Sequence, residues 1–521
     1  MSRRQIFVTA VYVVLLCFWA WPALAELIVD TAWVRRYNGP GNGDDIPGAM
    51  ALDSLGNVYV TGYSWNVGLD CDYVTIKYLP NGDTAWVRRY NGPGDPSNSM
   101  DMATAIAVDN SGNVYVTGRS EGSGTSADFA TIKYDENGDT IWLRRYDGLL
   151  NADDLPSALA IDNDGNVYVT GYNYDSGTDR DYVTIRYHPN GDTAWVRRYD
   201  GPGNSLDFPY AAAVDDLGNV YVTGLSYGMG TYQDYATVKY HVNGDTAWVR
   251  RYDGPANLYD LAYAIAVDVS GSVYVTGQSR SDATHDDYIT IKYLSNGDTS
   301  WVRRYNGPTD YEDIACDVAV DNSGNVHVTG VSHGIATDDD CATIKYYPNG
   351  DTAWVRRYDG PDNRWDLASA LAVDETGNVY VTGWSSSIET SDDYATIRYY
   401  PNGDTAWVRR YDGPGNSFDN ARAIAVDHSG NVYVTGGSGG SGTSDDYATI
   451  KYFQALRGDA TGDGIINAAD VVYMINYLFR NGDPPGPMQA GDCNCDGSVG
   501  AGDVVYVINY LFRGGPAPSC P

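Results

Sequence analysis

Two stretches near the C-terminus place oxygen-bearing side chains at alternate positions, as a hard divalent cation requires. In the first, Asp459, Thr461, Asp463, Asn467 and Asp470 offer side-chain oxygens, Ile465 offers its carbonyl, and Gly464 stands sixth, where the chain must turn sharply. In the second, Asp492, Asn494, Asp496 and Asp503 match, with Ser498 through its carbonyl and Gly497 at the turn. Gly500 brings no side chain to the ninth position, so water must serve there. A solvated Asp-Gly-rich tail is the plainer reading, but two loops sharing one spacing point to two bound calcium ions.

The elements that would position these ligands follow at once. Each loop runs into an amphipathic stretch, 471–480 and 504–513, that reads as a helix, and a linker with Pro484, Pro485 and Pro487 separates the two units. Cys493 and Cys495 lie inside the second loop. One of them can bond Cys520 and tie the tail back, or the thiols stay free. Cys316 and Cys341 fall on strands expected to be separated by a third, which disfavours a bond between them.

The rest of the chain is organised by a heptad, Thr84-Ala85-Trp86-Val87-Arg88-Arg89-Tyr90, whose tryptophan returns at Trp33, Trp86, Trp142, Trp195, Trp248, Trp301, Trp354 and Trp407. The spacing is 53 residues, except for 56 between Trp86 and Trp142. A fixed period of that size marks a repeat architecture. Each repeat holds four strand signals: a small apolar run such as 105–109, an alternating run such as 113–118, a third at 128–134, and a fourth at 140–146 reached through Asn137-Gly138. Four antiparallel strands with two semi-apolar faces bury those faces by radial stacking, as propeller blades do. The glycine closing the second strand recurs at Gly62, Gly118, Gly171, Gly224, Gly277, Gly330, Gly383 and Gly436, so the expected fold is all-β with eight four-stranded blades. The repeats open with a lone fourth strand and end with a third strand, so the N-terminal strand is expected to complete the last blade and close the ring.

Connections between first and second strands, and between third and fourth, hardly vary among repeats. The other two vary and emerge together on the opposite face, where binding loops usually reside. That rim offers Tyr63, Trp65, Tyr172, Tyr174, Tyr227, Tyr232, Trp365 and Trp384 for stacking on sugar rings or apolar ligands. It also carries Asp45, Asp101, Asp154, Asp207, Asp260, Asp313, Asp366 and Asp419. These aspartates form a ring of ligand or calcium contacts, or they cap turns and pair with the repeated arginines. The second is the simpler reading, because a residue present in every blade builds the blade. Arginine pairs such as Arg88-Arg89 and Arg409-Arg410 read as edge guards that balance aspartate rather than as phosphate binders. His188, His241 and His327 are scattered, and no nucleophile motif or phosphate loop stands out. No two carboxylates are singled out for glycoside chemistry either.

The formal net charge of −34 opposes contact with nucleic acid phosphates and anionic membranes. Arg3 and Arg4, an apolar run over 6–21 and Ala23-Leu24-Ala25 read as a secretory signal over residues 1–25, so the mature protein is expected outside the cell. Arg3-Arg4 also suits a twin-arginine signal, but the strongly apolar run favours the ordinary secretory route. No later stretch is long and apolar enough to span a membrane.

Repeats of the form AIAVDxxGNVYVTG, DYATIKY and NGDTAWVRRY resemble the bacterial beta-propeller repeat, described as seven-bladed, whereas eight are counted here. The loop-helix units resemble a type I dockerin domain, a small helical calcium-binding module. The expected division is a leader over 1–25, a propeller over 26–453 and a dockerin over 454–521. The resemblance implies an exported or cell-surface protein, a cohesin-like partner, and partner contacts at loop positions ten and eleven, here Ala468-Ala469 and Ala501-Gly502, without the hydroxyl pair of well-known members. It carries over no catalytic residues. The expected function is a non-enzymatic binding or scaffold protein whose propeller rim takes a ligand such as a polysaccharide. The alternative is a carbohydrate-active enzyme, a glycoside hydrolase or polysaccharide lyase of a cellulosome-like system, since dockerins often accompany polysaccharide-degrading modules. A third reading makes the propeller a spacer.

Overall fold

Turns and strands alternate in the chain as the Asn-Gly and Asp-x-x-Gly signals require. The computed structural model describes residues 27–66, 70–95, 99–148, 150–175, 179–462 and 464–520. The expected leader over residues 1–25 lies outside them. Eight four-stranded antiparallel sheets form a propeller, and the fourth in chain order is representative: Asp207–Val214, Val220–Tyr227, Gln233–Tyr240 and Thr246–Tyr252 pair in sequence order. The last sheet is ordered Leu27–Tyr37, Asp445–Leu456, Val432–Gly439, Asp419–Val426, so the first strand of the chain completes the final blade. First strands of successive blades touch in a closed ring, the last against the first, and therefore lie innermost.

The core lies between blades. Tyr221, Tyr235 and Trp248 of the fourth blade pack on Ala262, Val273, Val275, Ile289, Ile291 and Tyr293 of the fifth. Trp248 lies 5.9 Å from Tyr221 and 6.0 Å from Tyr293, ring centre to ring centre, and its indole N–H donates to Ser295 O at 3.3 Å. Gly297, in the hairpin of the fifth blade, is at φ +88°, and a Cβ there would meet Trp248 at 2.8 Å, so glycine serves both the turn and the close approach. One blade's tryptophan and the next blade's Asn-Gly turn thus form a single contact, and each large aromatic so buried contributes roughly 1.5–3 kcal/mol.

The chain divides into two compact units, Thr31–Phe453 and a second that contains Gln454–Pro521. In the second, helices Ala468–Arg480 and Ala501–Arg513 pack around Val471, Met474, Cys493, Val504 and Val507. No helix among the described residues is long and apolar enough to cross a membrane.

Candidate calcium loops and propeller rim

In the first loop the carboxylates at either end converge on one residue: Thr461 Oγ1 donates to Asp459 at 3.2 Å and to Asp470 at 2.8 Å. Asp459 also accepts the N–H groups of Gly462 and Gly464 at 2.8 and 2.7 Å, and Asp470 accepts that of Asn467 at 2.7 Å. Gly464 is at φ +83°, the left-handed turn its position demands. Asn467 Oδ1 caps the helix through Ala469 N–H at 2.7 Å, and Asn467 Nδ2 reaches Ile465 O at 3.2 Å. Asp463 lies outside the described residues.

The second loop follows the same plan. Asp492 accepts from the N–H groups of Asp496 (3.1 Å) and Gly497 (3.0 Å), and Asp503 accepts from those of Asn494 (2.9 Å) and Gly500 (2.8 Å). Asp496 takes both the N–H and the hydroxyl of Ser498, which hold its carboxyl below the usual carboxylate range. Asp459, Asp470 and Asp503 are all but fully buried, so both loops fold around inward-turned carboxylates. The open choice of disulfide resolves to Cys495–Cys520. Cys493 faces the core at 0 % exposure, whereas Cys495 stands where the first loop has Gly462, and both adopt positive φ. Cys316 and Cys341 are free thiols.

The helices expose a feature that sequence reasoning missed. Val472 and Phe479 on the first, and Val505 and Phe512 on the second, are all more than half exposed. They occupy equivalent places in two copies of one helix, and Ala468, Ala469, Ala501 and Gly502, which open the two helices, are exposed too. The signal was their repetition: core positions repeat in both copies, but so do these.

On the propeller, six of the eight rim aromatics sit half-buried within second strands rather than at loop tips: Tyr63, Trp65, Tyr172, Tyr174, Tyr227 and Trp384. Tyr232 and Trp365 are exposed. Tyr172 and Tyr174 are brought together under Arg180, whose guanidinium lies 5.3 and 4.6 Å from their rings, and Phe208 meets Tyr172 at 4.8 Å. Tyr232 pairs instead with Tyr259 at 5.4 Å, and Tyr311 with His333 at 4.8 Å. Tyr259, Trp365 and Phe418 share one repeat position, immediately before the first strand's aspartate, and that shared place is the signal that could have marked Tyr259 and Phe418.

The repeated aspartates do cap turns. Asp260 Oδ2 accepts the Gly254 N–H at 2.7 Å, and Asp45, Asp207, Asp366 and Asp419 do the same one blade at a time. Burial pushes Asp154, Asp207, Asp260, Asp313 and Asp366 up to about 6. Their expected pairing with the arginines is corrected. The second arginine of the pair reaches a different aspartate, near the start of its own blade's third strand, as in Arg89 to Asp72 at 2.9 Å, Arg251 to Asp234 at 2.6 Å and Arg410 to Asp393 at 2.7 Å. Those two strands are hydrogen-bonded neighbours, so the guanidinium finds the nearer carboxylate and also donates to the preceding blade, as Arg251 does to Tyr199 Oη at 3.0 Å. The first arginine, such as Arg250, donates to the next blade's Gly297 O at 2.5 Å. Both arginines are spent on construction. His327, fully buried, bonds Asp321 at 3.2 Å where other blades use tyrosine.

Comparison with known proteins agrees with this division. Residues 457–512 match the family described as the type I dockerin domain, and residues 32–69, 85–124 and 194–229 match the beta-propeller repeat. No curated protein matches the chain. Among solved structures, the beta-propeller domain of the Trilobed protease from Pyrococcus furiosus is 8% identical with a TM-score of 0.40, covering 70% of this chain and 96% of that one. A protein of unknown function from Dyadobacter fermentans is 9% identical with a TM-score of 0.36, covering 81% of this chain and 98% of that one. Likeness at that level says nothing of this chain's chemistry. Type I dockerin domains bind calcium and partner with cohesins. The chain is an eight-bladed propeller of beta-propeller repeats that carries a C-terminal type I dockerin domain.

Proposed function

We propose that the chain is an exported, non-enzymatic binding module, held by its dockerin to a cohesin-bearing complex or cell surface while the propeller rim presents a ligand face. The observation that carries this reading is the doubled, outward apolar pair, Val472 with Phe479 and Val505 with Phe512, beside two folded acidic loops. Large apolar side chains left in water at matching places in both copies fit a protein partner. Calcium occupies both loops: Asp459, Thr461, Asp463, Ile465 O, Asn467 and Asp470 serve one ion, and Asp492, Asn494, Asp496, Ser498 O and Asp503 the other, with water at Gly500. The cohesin lies across the two helices and packs on small residues at Ala468, Ala469, Ala501 and Gly502, which selects a partner unlike those that read hydroxyls. On the propeller, Tyr232, Trp365 and the neighbouring half-buried aromatics form the surface for a polysaccharide.

The test is to capture the chain on immobilised cohesins in calcium and pass a polysaccharide panel over it, measuring retention and the release of reducing ends. Retention without release is expected. Release that disappears with a rim aspartate variant would replace this reading with an enzyme.

A further inference from the structure

The junctions between blades contain buried carboxylate oxygens that blade construction does not use. Asp234, 4 % exposed, gives Oδ2 to Arg251, and its Oδ1 is buried with no hydrogen-bond partner. The same holds for Oδ1 of Asp128, Asp340 and Asp393. Across the junction stands Asp260, 0 % exposed, whose Oδ2 caps the Gly254 turn and whose Oδ1 is likewise unpartnered. Asp253, in the connection between the two blades, supplies a third carboxylate from the solvent side. One oxygen from each of the three lies within 4.8 Å of the others, and the cluster recurs as Asp128-Asp147-Asp154, Asp181-Asp200-Asp207, Asp340-Asp359-Asp366 and Asp393-Asp412-Asp419.

We propose that the propeller binds calcium of its own, one ion at each of these five junctions, bridging the third strand of one blade to the first strand of the next. All the donors are carboxylate oxygens, which suits a hard cation such as calcium better than zinc, whose structural sites are built on Cys and His. Three carboxylate oxygens this close together can share one calcium ion, whose bonds to oxygen run at roughly 2.4 Å. Arg357 pairs with Asp340 and Arg410 of the next blade acts on Asp366, so three carboxylates still outnumber two guanidiniums and the junction keeps a negative charge for a cation to balance. At the remaining three junctions Asn38, Asn91 and Asn306 replace the exposed aspartate. An amide oxygen also ligates calcium, but with less charge, so those three junctions bind more weakly.

The alternative occupant of the same space is a shared proton, since two buried carboxylates side by side can lower their repulsion that way. The test uses the full mature chain, stripped with chelator and titrated with calcium chloride at pH 7.5. Beyond the leader, all tryptophans lie between Trp33 and Trp407, so their emission reports the propeller and not the dockerin. The expected result is more bound calcium than two dockerin loops can hold and a tryptophan unfolding transition that calcium moves upward. Asp253→Ala, Asp359→Ala and Asp412→Ala combined remove only exposed side chains outside the Arg-Asp pairs, and should cost one ion per substituted cluster. A count of two ions that the triple variant leaves unchanged, with a tryptophan transition insensitive to calcium, would overturn the proposal. If that transition rose on acidification through pH 6 instead, with or without metal, the junctions would be proton-bridged and the proposal equally refuted.

Discussion

The propeller and the dockerin are both built by repetition, but they use it in opposite ways. In the blades the repeated side chains are consumed inside the structure: Trp248 enters the next blade's hairpin, Arg251 is taken by Asp234, and Asp260 by the Gly254 turn. What differs from blade to blade, Tyr259 against Trp365 and Phe418 for example, is left at the rim. In the dockerin the repeated residues include exposed ones, and Phe479 and Phe512 face water from equivalent turns. A repeated residue is therefore a building part where neighbouring copies pack on each other. It is a candidate contact where it stays in solvent.

The sharpest way to break this contrast is to disable the loops. Asp470→Ala with Asp503→Ala removes the carboxylate that closes each loop, and should abolish both the folding of the helical unit in calcium and cohesin binding. The tryptophan transition of the propeller should not move. A helical circular dichroism contribution that survives would show that the helical unit does not depend on these carboxylates, and a propeller that melts earlier would show that the two units are coupled.

Next in size is Trp248→Ala, which empties the space between two blades and should lower propeller stability by about 3–5 kcal/mol in denaturant titration while leaving cohesin affinity unchanged. Reduction of Cys495–Cys520 comes third. It opens a closure of 25 residues and should destabilise the helical unit by about 3 kcal/mol without reaching the blades, read as a lower helix midpoint in dithiothreitol.

Much of this was legible in advance. The tryptophan spacing and the Asn-Gly turns carried the blade count, the strand order and the closing N-terminal strand, because a repeat must satisfy the same packing each time. The alternate-oxygen spacing carried both loops. What remained hidden were choices between residues that share one period. Asp234 and Asp260 recur equally often, so periodicity could not assign Arg251 to one of them; strand adjacency does. Cys493 and Cys495 differ by two positions, and the fold decides between them: Cys493 is buried in the helical core, while the Cα of Cys495 stands 5.6 Å from that of Cys520. Half-buried rim residues such as Tyr63 and Trp65 look like loop residues in sequence because the strands run further than their apolar pattern.

The smallest effect sharpens the comparison within the propeller itself. Asp317 stands where other blades have alanine, and burial pushes its carboxyl up to about 6 although it accepts N–H bonds from Val318 and Leu371. Its folded pKa exceeds the unfolded one, so the native state holds a proton that the unfolded chain releases between about pH 4 and 6, and stability falls as pH rises through that window. Asp317→Ala, the residue the other blades carry, should raise the tryptophan midpoint more at pH 7.5 than near about pH 3.5. Equal shifts at both values would assign the effect to packing.

The most direct measurement is a calorimetric titration of the full chain with the cohesin that captures it, in calcium and again in chelator, for the native protein and for Phe479→Ala combined with Phe512→Ala. A calcium-dependent cohesin contact on the two helices requires binding in calcium, none in chelator, and at least a tenfold loss in the double variant. Binding that persists without calcium, or that ignores both phenylalanines, would contradict it.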